Sequence, residues 1–226
     1  MASTLVRTCA LVLLVAVAGC SAQVDTGGSP DSAAPAASSE VIDIAPLRQT
    51  DFDYEPAGSP EELVRRGHDV VVAGEVETVV QAGEESVVPG DGNPLLYVAM
   101  KVRVTDPYRV RSPDLLDDGY VYAILSQGPR SPDGTPSYSL EDWNRAIPPG
   151  TPILLLAGPA EEGVVGPDSE VPDGARAVAP DVQGLVLEGL IDGRRQLENG
   201  LEEFAAGWKG IESMDALKDR VASAIG

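Results

Sequence analysis

The chain has 226 residues, 43% of them hydrophobic, which is enough apolar material for one sizeable core. Its 16 Lys and Arg stand against 36 Asp and Glu, a formal net charge of -20 at pH 7, so neither nucleic acid nor an anionic lipid surface is expected as an electrostatic partner. Only two cysteines, Cys9 and Cys20, and one histidine, His68, are present, which excludes a disulfide, a thiolate metal site or a cysteine nucleophile beyond residue 20.

The first twenty residues read MASTLVRTCALVLLVAVAGC: one basic residue, Arg7, an apolar run from Cys9 to Ala18, then Gly19 and Cys20. Charge, apolar stretch and small residues in that order predict a secretory signal over residues 1–19. The run is short for a membrane span, which needs about 20 apolar residues. Val17, Ala18, Gly19 and Cys20 resemble the lipobox of bacterial lipoproteins. The resemblance implies a diacylglyceryl group on the Cys20 thiol, cleavage between Gly19 and Cys20, and a mature chain that begins at Cys20. The alternatives are an ordinary signal peptide cut near the same place and an uncleaved anchor. Cleavage removes Arg7 and leaves 15 basic against 36 acidic residues, or -21. Two acyl chains anchor a protein stably where one binds only marginally, so lipid would hold this acidic chain where surface charge could not.

Residues 20–47 continue as the lipidated cysteine and a stretch rich in Ser, Ala, Gly, Asp and Pro, predicted to be a disordered tether. Its alternative is that VIDIA, near the end, adds an edge strand to the body.

From residue 48 to 226 the pattern is that of one mainly β domain. GSPEELVRRGHD predicts a two-turn helix over 60–66, with Ser59 as N-cap, Pro60 at the first position, Glu62 closing a capping box and Gly67 ending it in a left-handed cap. DVVVAGEVETVVQAG is a long curved strand. It places Val70, Val72, Val76 and Val80 on one face, Glu75, Glu77 and Val79 on the other, and a bulge or bend at Gly74. LLYVAMKVRVTDPYRV pairs with it as a hairpin, with Leu96, Val98, Met100, Val102 and Val104 on one side and Lys101, Arg103 and Thr105 on the other. Further strands are expected at 120–127, 151–158 and 184–191, and a turn at Asp192 and Gly193 leads into RRQLE. Met214, Leu217, Val221 and Ile225 share one face of a C-terminal helix capped by Ser213, which closes one side or end of the sheet.

In this order the segments DVVVAGEVETV, VAMKVRVTDPYRV, PPGTPILLLAG and DVQGLVLEGLIDGRR resemble a group of lipoproteins and secreted proteins of high-GC Gram-positive bacteria. The resemblance spans roughly residues 58 to 197 and rests on strand patterning and on Gly74, Gly150, Gly158 and Gly184. It implies a small OB-like antiparallel barrel of five or six strands, with a short N-terminal helix and a C-terminal helix, and it brings no activity. The chain departs from the pattern at Asp106, Pro107 and Tyr108, where a Lys-Gly usually ends the second strand.

Sequence motifs for catalysis are absent: there is no GxSxG, HExxH, phosphate-cradling loop or dinucleotide fingerprint. The acidic doublets Glu61–Glu62, Glu84–Glu85, Asp117–Asp118 and Glu161–Glu162 fall in a helix start and expected loops, where solvation explains them. PGDGN (89–93) and DLLDDG (114–119) lack the ligand spacing of a calcium loop, so neither a metal nor a cofactor is expected. Tyr120 and Tyr122, in phase on one strand, with Tyr138 and Trp143 in the expected loop SYSLEDWN, form the candidate binding surface; the competing role for these aromatics is core. The reading is a non-enzymatic lipoprotein on the extracytoplasmic face of a membrane, binding an envelope protein or glycan. A carboxylate-dependent cell-wall hydrolase is the alternative.

Overall fold

A computed structural model describes residues 41–48, 53–85, 94–131, 133–191 and 194–226. The signal segment, Gly19, Cys20, the tether up to residue 40, the PGDGN stretch and the Asp192–Gly193 turn lie outside the described residues.

The domain is mainly β. Helix α1 (Pro60–Arg65) precedes strands β1 (Val70–Glu85), β2 (Leu95–Val110) and β3 (Tyr120–Pro129). Helix α2 (Leu140–Ala146) follows, then β4 (Pro152–Pro159), β5 (Val178–Ile191), β6 (Arg194–Asn199) and helix α3 (Met214–Ile225). The sheet order is β3-β2-β1-β4-β5-β6, all antiparallel, and a parallel contact between Ala123 of β3 and Val178 of β5 closes β1 to β5 into a ring. A five-stranded ring with that closure, and a helix between β3 and β4, is an OB-like barrel.

The inner surface follows the alternation read from the sequence, with one change of phase. Val70, Val72 and Val76 point inward together with Val98, Met100, Val102, Val121, Ile153, Leu155, Leu185 and Leu187. Beyond Val76 it is Val79 that joins this core, whereas Val80 packs outside. A register shift between Val76 and Thr78 leaves Glu77 unmatched on β2, and an extra residue in a strand reverses every side chain after it. Gly74 answers a different need. A Cβ there would lie 2.2 Å from the Arg103 carbonyl oxygen, so only glycine lets β1 bend this closely over β2.

β2 runs unbroken through Pro107 to Val110. Two further shifts skip Thr105 and Tyr108 on β2 and bracket the proline, so the departure from the Lys-Gly pattern is absorbed by bulges and the strand does not end there.

The outer surface has two coverings. On β1, β4 and β5, the side chains of Val71, Ala73, Leu154, Leu156 and Val186 meet Leu63 and Val64 of α1, Met214, Leu217 and Val221 of α3, and Trp208. Ser213 caps α3 as predicted, accepting from the Ala216 N–H at 3.2 Å, and Ser59 caps α1. The Glu62 carboxylate, expected to reach back to Ser59, accepts instead from the Gly58 N–H at 2.8 Å. Gly67 takes the left-handed conformation the sequence required, with φ +89.

On β1, β2 and β3 the cover is residues 160–177, the link from β4 to β5, which forms a strap. Its Val164, Val171 and Ala177 lie on Ala82, Ala99, Tyr122 and Ile124.

Residues 41–47, expected at the end of the tether, belong to the folded body. Val41 pairs with Leu190 in a parallel bridge, the Asp43 N–H donates to the Ala146 carbonyl at 2.8 Å, and Ile42 and Leu47 are buried. The cause is apolar content that the flanking Ser and Ala concealed: burying a side chain of this size contributes about 1.5–3 kcal/mol. The alternative for VIDIA was therefore the closer one, and the described part of the body begins at Val41, ahead of the expected residue 48.

Candidate functional site

The four aromatics chosen from the sequence do not form one surface. Trp143 is fully buried in the barrel core, because SYSLEDWN is not a loop. It holds α2, started by a capping box in which Ser139 accepts from the Asp142 N–H and Asp142 accepts from the Ser139 N–H, and this turns Trp143 inward. Tyr122 is 4% exposed beneath the strap, and Tyr138 is half-buried against the core. Tyr120 is half-buried too, under the Lys101 ammonium at 3.9 Å, while Lys101 also pairs with Glu77 at 2.6 Å. The surface expected from the sequence is thus corrected: helix and strap have taken Trp143 and Tyr122 into the packing.

The strap creates a different site. β4 pairs with β1 only as far as Glu75, so the rest of the β1 edge must find other partners. Asn144 of α2 supplies them at Val79, accepting from its N–H and donating to its carbonyl, both at 2.8 Å. Farther on, the strap donates Gly166 N–H to the Ala82 carbonyl at 2.8 Å, and Glu170 N–H and Ser169 Oγ to the Gln81 carbonyl at 3.0 and 3.2 Å. Gly83 permits this approach, since a Cβ there would sit 2.6 Å from the Gly166 nitrogen.

Between the strap, the end of β1 and the end of β3 lies a cavity of about 460 Å³, within the range of about 300–1,000 Å³ typical of ligand pockets. Leu96, Pro136 and Pro167 give it apolar wall, and Gln81, Asp168 and Ser169 are polar lining. Its two most constrained polar groups are Gln127 and Arg130. Gln127 is 1% exposed, and its Nε2 donates to the Tyr138 carbonyl at 2.7 Å. That bond fixes the amide, since a flipped group would set oxygen against oxygen; Oε1 is left buried without a donor. Arg130 gives Nη2 to the Glu84 carboxylate, while its Nε is buried without an acceptor. Buried polar atoms left unmatched cost about 1–3 kcal/mol each; among the described residues His68, Trp143, Gln183 and Asn199 carry such atoms too.

Neither residue was singled out from the sequence, although a signal was there. Val121, Ala123 and Leu125 face the core, and Gln127 continues the same phase as a polar residue at an inward position. The strap itself left only a turn-rich stretch of Gly, Pro and acidic residues.

Outside this pocket several carboxylates are in ion pairs or hydrogen bonds. Arg220 binds Glu61 through two hydrogen bonds of 2.5 and 2.7 Å and holds its carboxyl down to about 2. Glu198, on edge strand β6 beside Arg48, is pushed up by burial. His68 has its Nε2 3.8 Å from Asp181; burial lowers its pKa while the Asp181 charge pulls the other way. Asp114, from the DLLDDG stretch, pairs with Arg176 at 3.1 Å. Among the described residues no three His, Cys, Asp or Glu side chains converge as metal ligands, and no helix is long and apolar enough to cross a membrane.

Comparison with protein-family models, with curated proteins and with solved structures finds no match to this chain.

Proposed function

We propose that the chain is an extracytoplasmic lipoprotein, held to a membrane by lipid on Cys20, whose barrel is a non-enzymatic binding module with its ligand site in the strap pocket. The observation that carries the binding reading is the cavity of about 460 Å³ under the strap, with apolar wall from Leu96, Pro136 and Pro167 beside polar lining from Gln81, Arg130 and Asp168. The anchor rests on the lipobox resemblance and on the acidic balance of the chain.

Two carboxylates, Glu84 and Asp168, also line this cavity, which is what a hydrolase would need. Glu84 is already engaged in an ion pair with Arg130, so its carboxylate is not free to act on a substrate. Binding is therefore the better-supported reading.

Labelling of intact cells with a palmitate analogue is expected to mark the wild type and not Cys20→Ala, which is released with its barrel folded. Equal labelling of the two overturns the anchor. Cell-wall hydrolysis by the purified chain that disappears in both Glu84→Gln and Asp168→Asn would replace the binding module with the hydrolase.

A further inference from the structure

β6 ends the sheet order β3-β2-β1-β4-β5-β6, and among the described residues no strand pairs with its other edge. Its ladder with β5 runs from Val186↔Asn199 to Ile191↔Arg194 without a register shift. Native sheets blunt such an edge with a proline, a bulge or charge. β6 has neither proline nor bulge, so its charges decide what it can pair with.

Those charges are symmetric about one residue. Leu197 turns to the helical cover with Val186, so alternation puts Arg194, Gln196 and Glu198 together on the opposite face. Arg194 stands two residues before Gln196 and Glu198 two after it. Arg194 is exposed and makes no ion pair or hydrogen bond among the described residues. Glu198 is half-buried, and burial pushes its carboxyl up even with Arg48 at 3.4 Å.

A second copy of β6 laid antiparallel along this edge is related to the first by a two-fold axis perpendicular to the sheet. Such an axis keeps each face on its own side, so it must pass through a residue and not between two. An axis at Arg195 or Glu198 sets that residue against its own like charge. An axis at Leu197 matches no opposite charges and draws in Asn199, whose carbonyl the Arg48 guanidinium already holds at 3.0 Å. An axis at Gln196 sets Arg194 against the partner's Glu198, and Glu198 against the partner's Arg194, and leaves Asn199 to Arg48. A strand of another protein is under no such symmetry, so a pattern balanced about one residue favours the strand's own copy.

We propose that the chain forms a two-fold dimer in which β6 pairs antiparallel with β6 of a second copy, centred on Gln196, with Arg194 and Glu198 joined in two reciprocal ion pairs. The edge is short and each copy carries a net charge of -20, so the dimer is weak, with a Kd on the order of 0.1 mM. β6 contributes no residue to the strap pocket, and the dimer does not depend on that pocket's being a ligand site.

The test places the photo-reactive residue benzoylphenylalanine at Gln196 of the full chain and, separately, at exposed Ala222 of α3. Each protein is irradiated in detergent at about the expected Kd and in intact cells. A product of twice the chain mass is expected from position 196 and not from position 222. Arg194→Glu, which sets like charge against the partner's Glu198, should lower the yield about tenfold. Arg194→Glu combined with Glu198→Arg exchanges the two charges and should restore it. Because Glu198→Arg also loses the Arg48 pair, the urea midpoint of the double variant is measured alongside, and Arg194→Glu decides alone if that variant does not fold. Equal yields from positions 196 and 222, an unchanged yield in Arg194→Glu, or a folded double variant that stays monomeric overturns the dimer. Capture of a different protein at position 196 in cells, with no product of twice the chain mass, overturns it as well.

Discussion

The two outer coverings of the barrel use opposite means. Over β1, β4 and β5 the cover is mostly helical, and large side chains, Leu63, Trp208, Met214, Leu217 and Val221, are buried in it, with Trp208 Nε1 also donating to the Ala57 carbonyl at 3.1 Å. Over β1, β2 and β3 the cover is an irregular strap that contributes Val164, Val171 and Ala177 and is tied down by backbone hydrogen bonds to Gln81 and Ala82. Helices satisfy their own backbone, so their side chains can seal a surface; a strap must bond to the sheet it crosses, and it leaves gaps where it does not. The gap here is the Gln127–Arg130 pocket. The helical face is thus sealed by side chains, and the strap face leaves a cavity.

The largest test of that division is Leu217→Ala, which empties a fully buried position under α3. It should cost about 2–5 kcal/mol, read as a fall in the urea midpoint, with the Gln127 side-chain amide resonance unchanged in whatever remains folded. Gly83→Val should be smaller globally, about 1–3 kcal/mol from overpacking, and larger locally. Amide exchange at Gly166 and Glu170 is expected to accelerate while exchange in α3 stays slow. Uniform acceleration would show that strap and helices form one cooperative unit.

The remaining two tests are pH effects on the helical side. The Glu61 carboxyl is held at about 2 by the hydrogen bonds from Arg220, against an ordinary 4.5. A depressed acid stabilises the fold above the higher value, and that contribution disappears as pH falls from 4.5 through about 2. With the Glu61 side chain 33% exposed, solvent screening reduces it to about 1 kcal/mol, and Arg220→Ala should remove this part of the acid transition. His68 gives the smallest effect. Burial keeps it neutral in the folded chain below 6.5, while the unfolded chain takes up the proton, so stability declines as pH drops beneath 6.5. Equilibrium unfolding of His68→Gln should lack that slope.

Most of the barrel was legible in the sequence because alternation and glycine positions are local signals. Val98, Met100 and Val102 face inward as read, and α1 and α3 begin at Ser59 and Ser213. Val80 was misassigned because a bulge depends on the partner strand, and the shift at Glu77 has no mark in β1 alone. β5 begins at Val178, earlier than the expected 184, because the segment AVAPDVQ contains a proline and an irregular register opposite Leu156 that hide its strand character. The helix of Trp143 was missed although Ser139 and Asp142 stand at capping-box spacing. The site was the least legible part. Its strap sequence looks like any acidic loop, and the importance of Gln127 emerges only when residues some forty positions apart, on β3 and on the strap, are brought to one cavity.

The docking of Val41 beside Leu190 has a mechanical consequence. A pull on the chain from the side of residue 40 enters the body through the Ile42–Leu190 and Asp43–Ala146 hydrogen bonds and the buried side chains of Ile42 and Leu47. Most of the ring is held by longer ladders, such as the fourteen matched pairs of β1 and β2. Residues 41–48 should therefore peel away first, lengthening the connection by about 25 Å at roughly 3.3 Å per residue before any load reaches the barrel. The segment would act as a fuse that gives way ahead of the barrel.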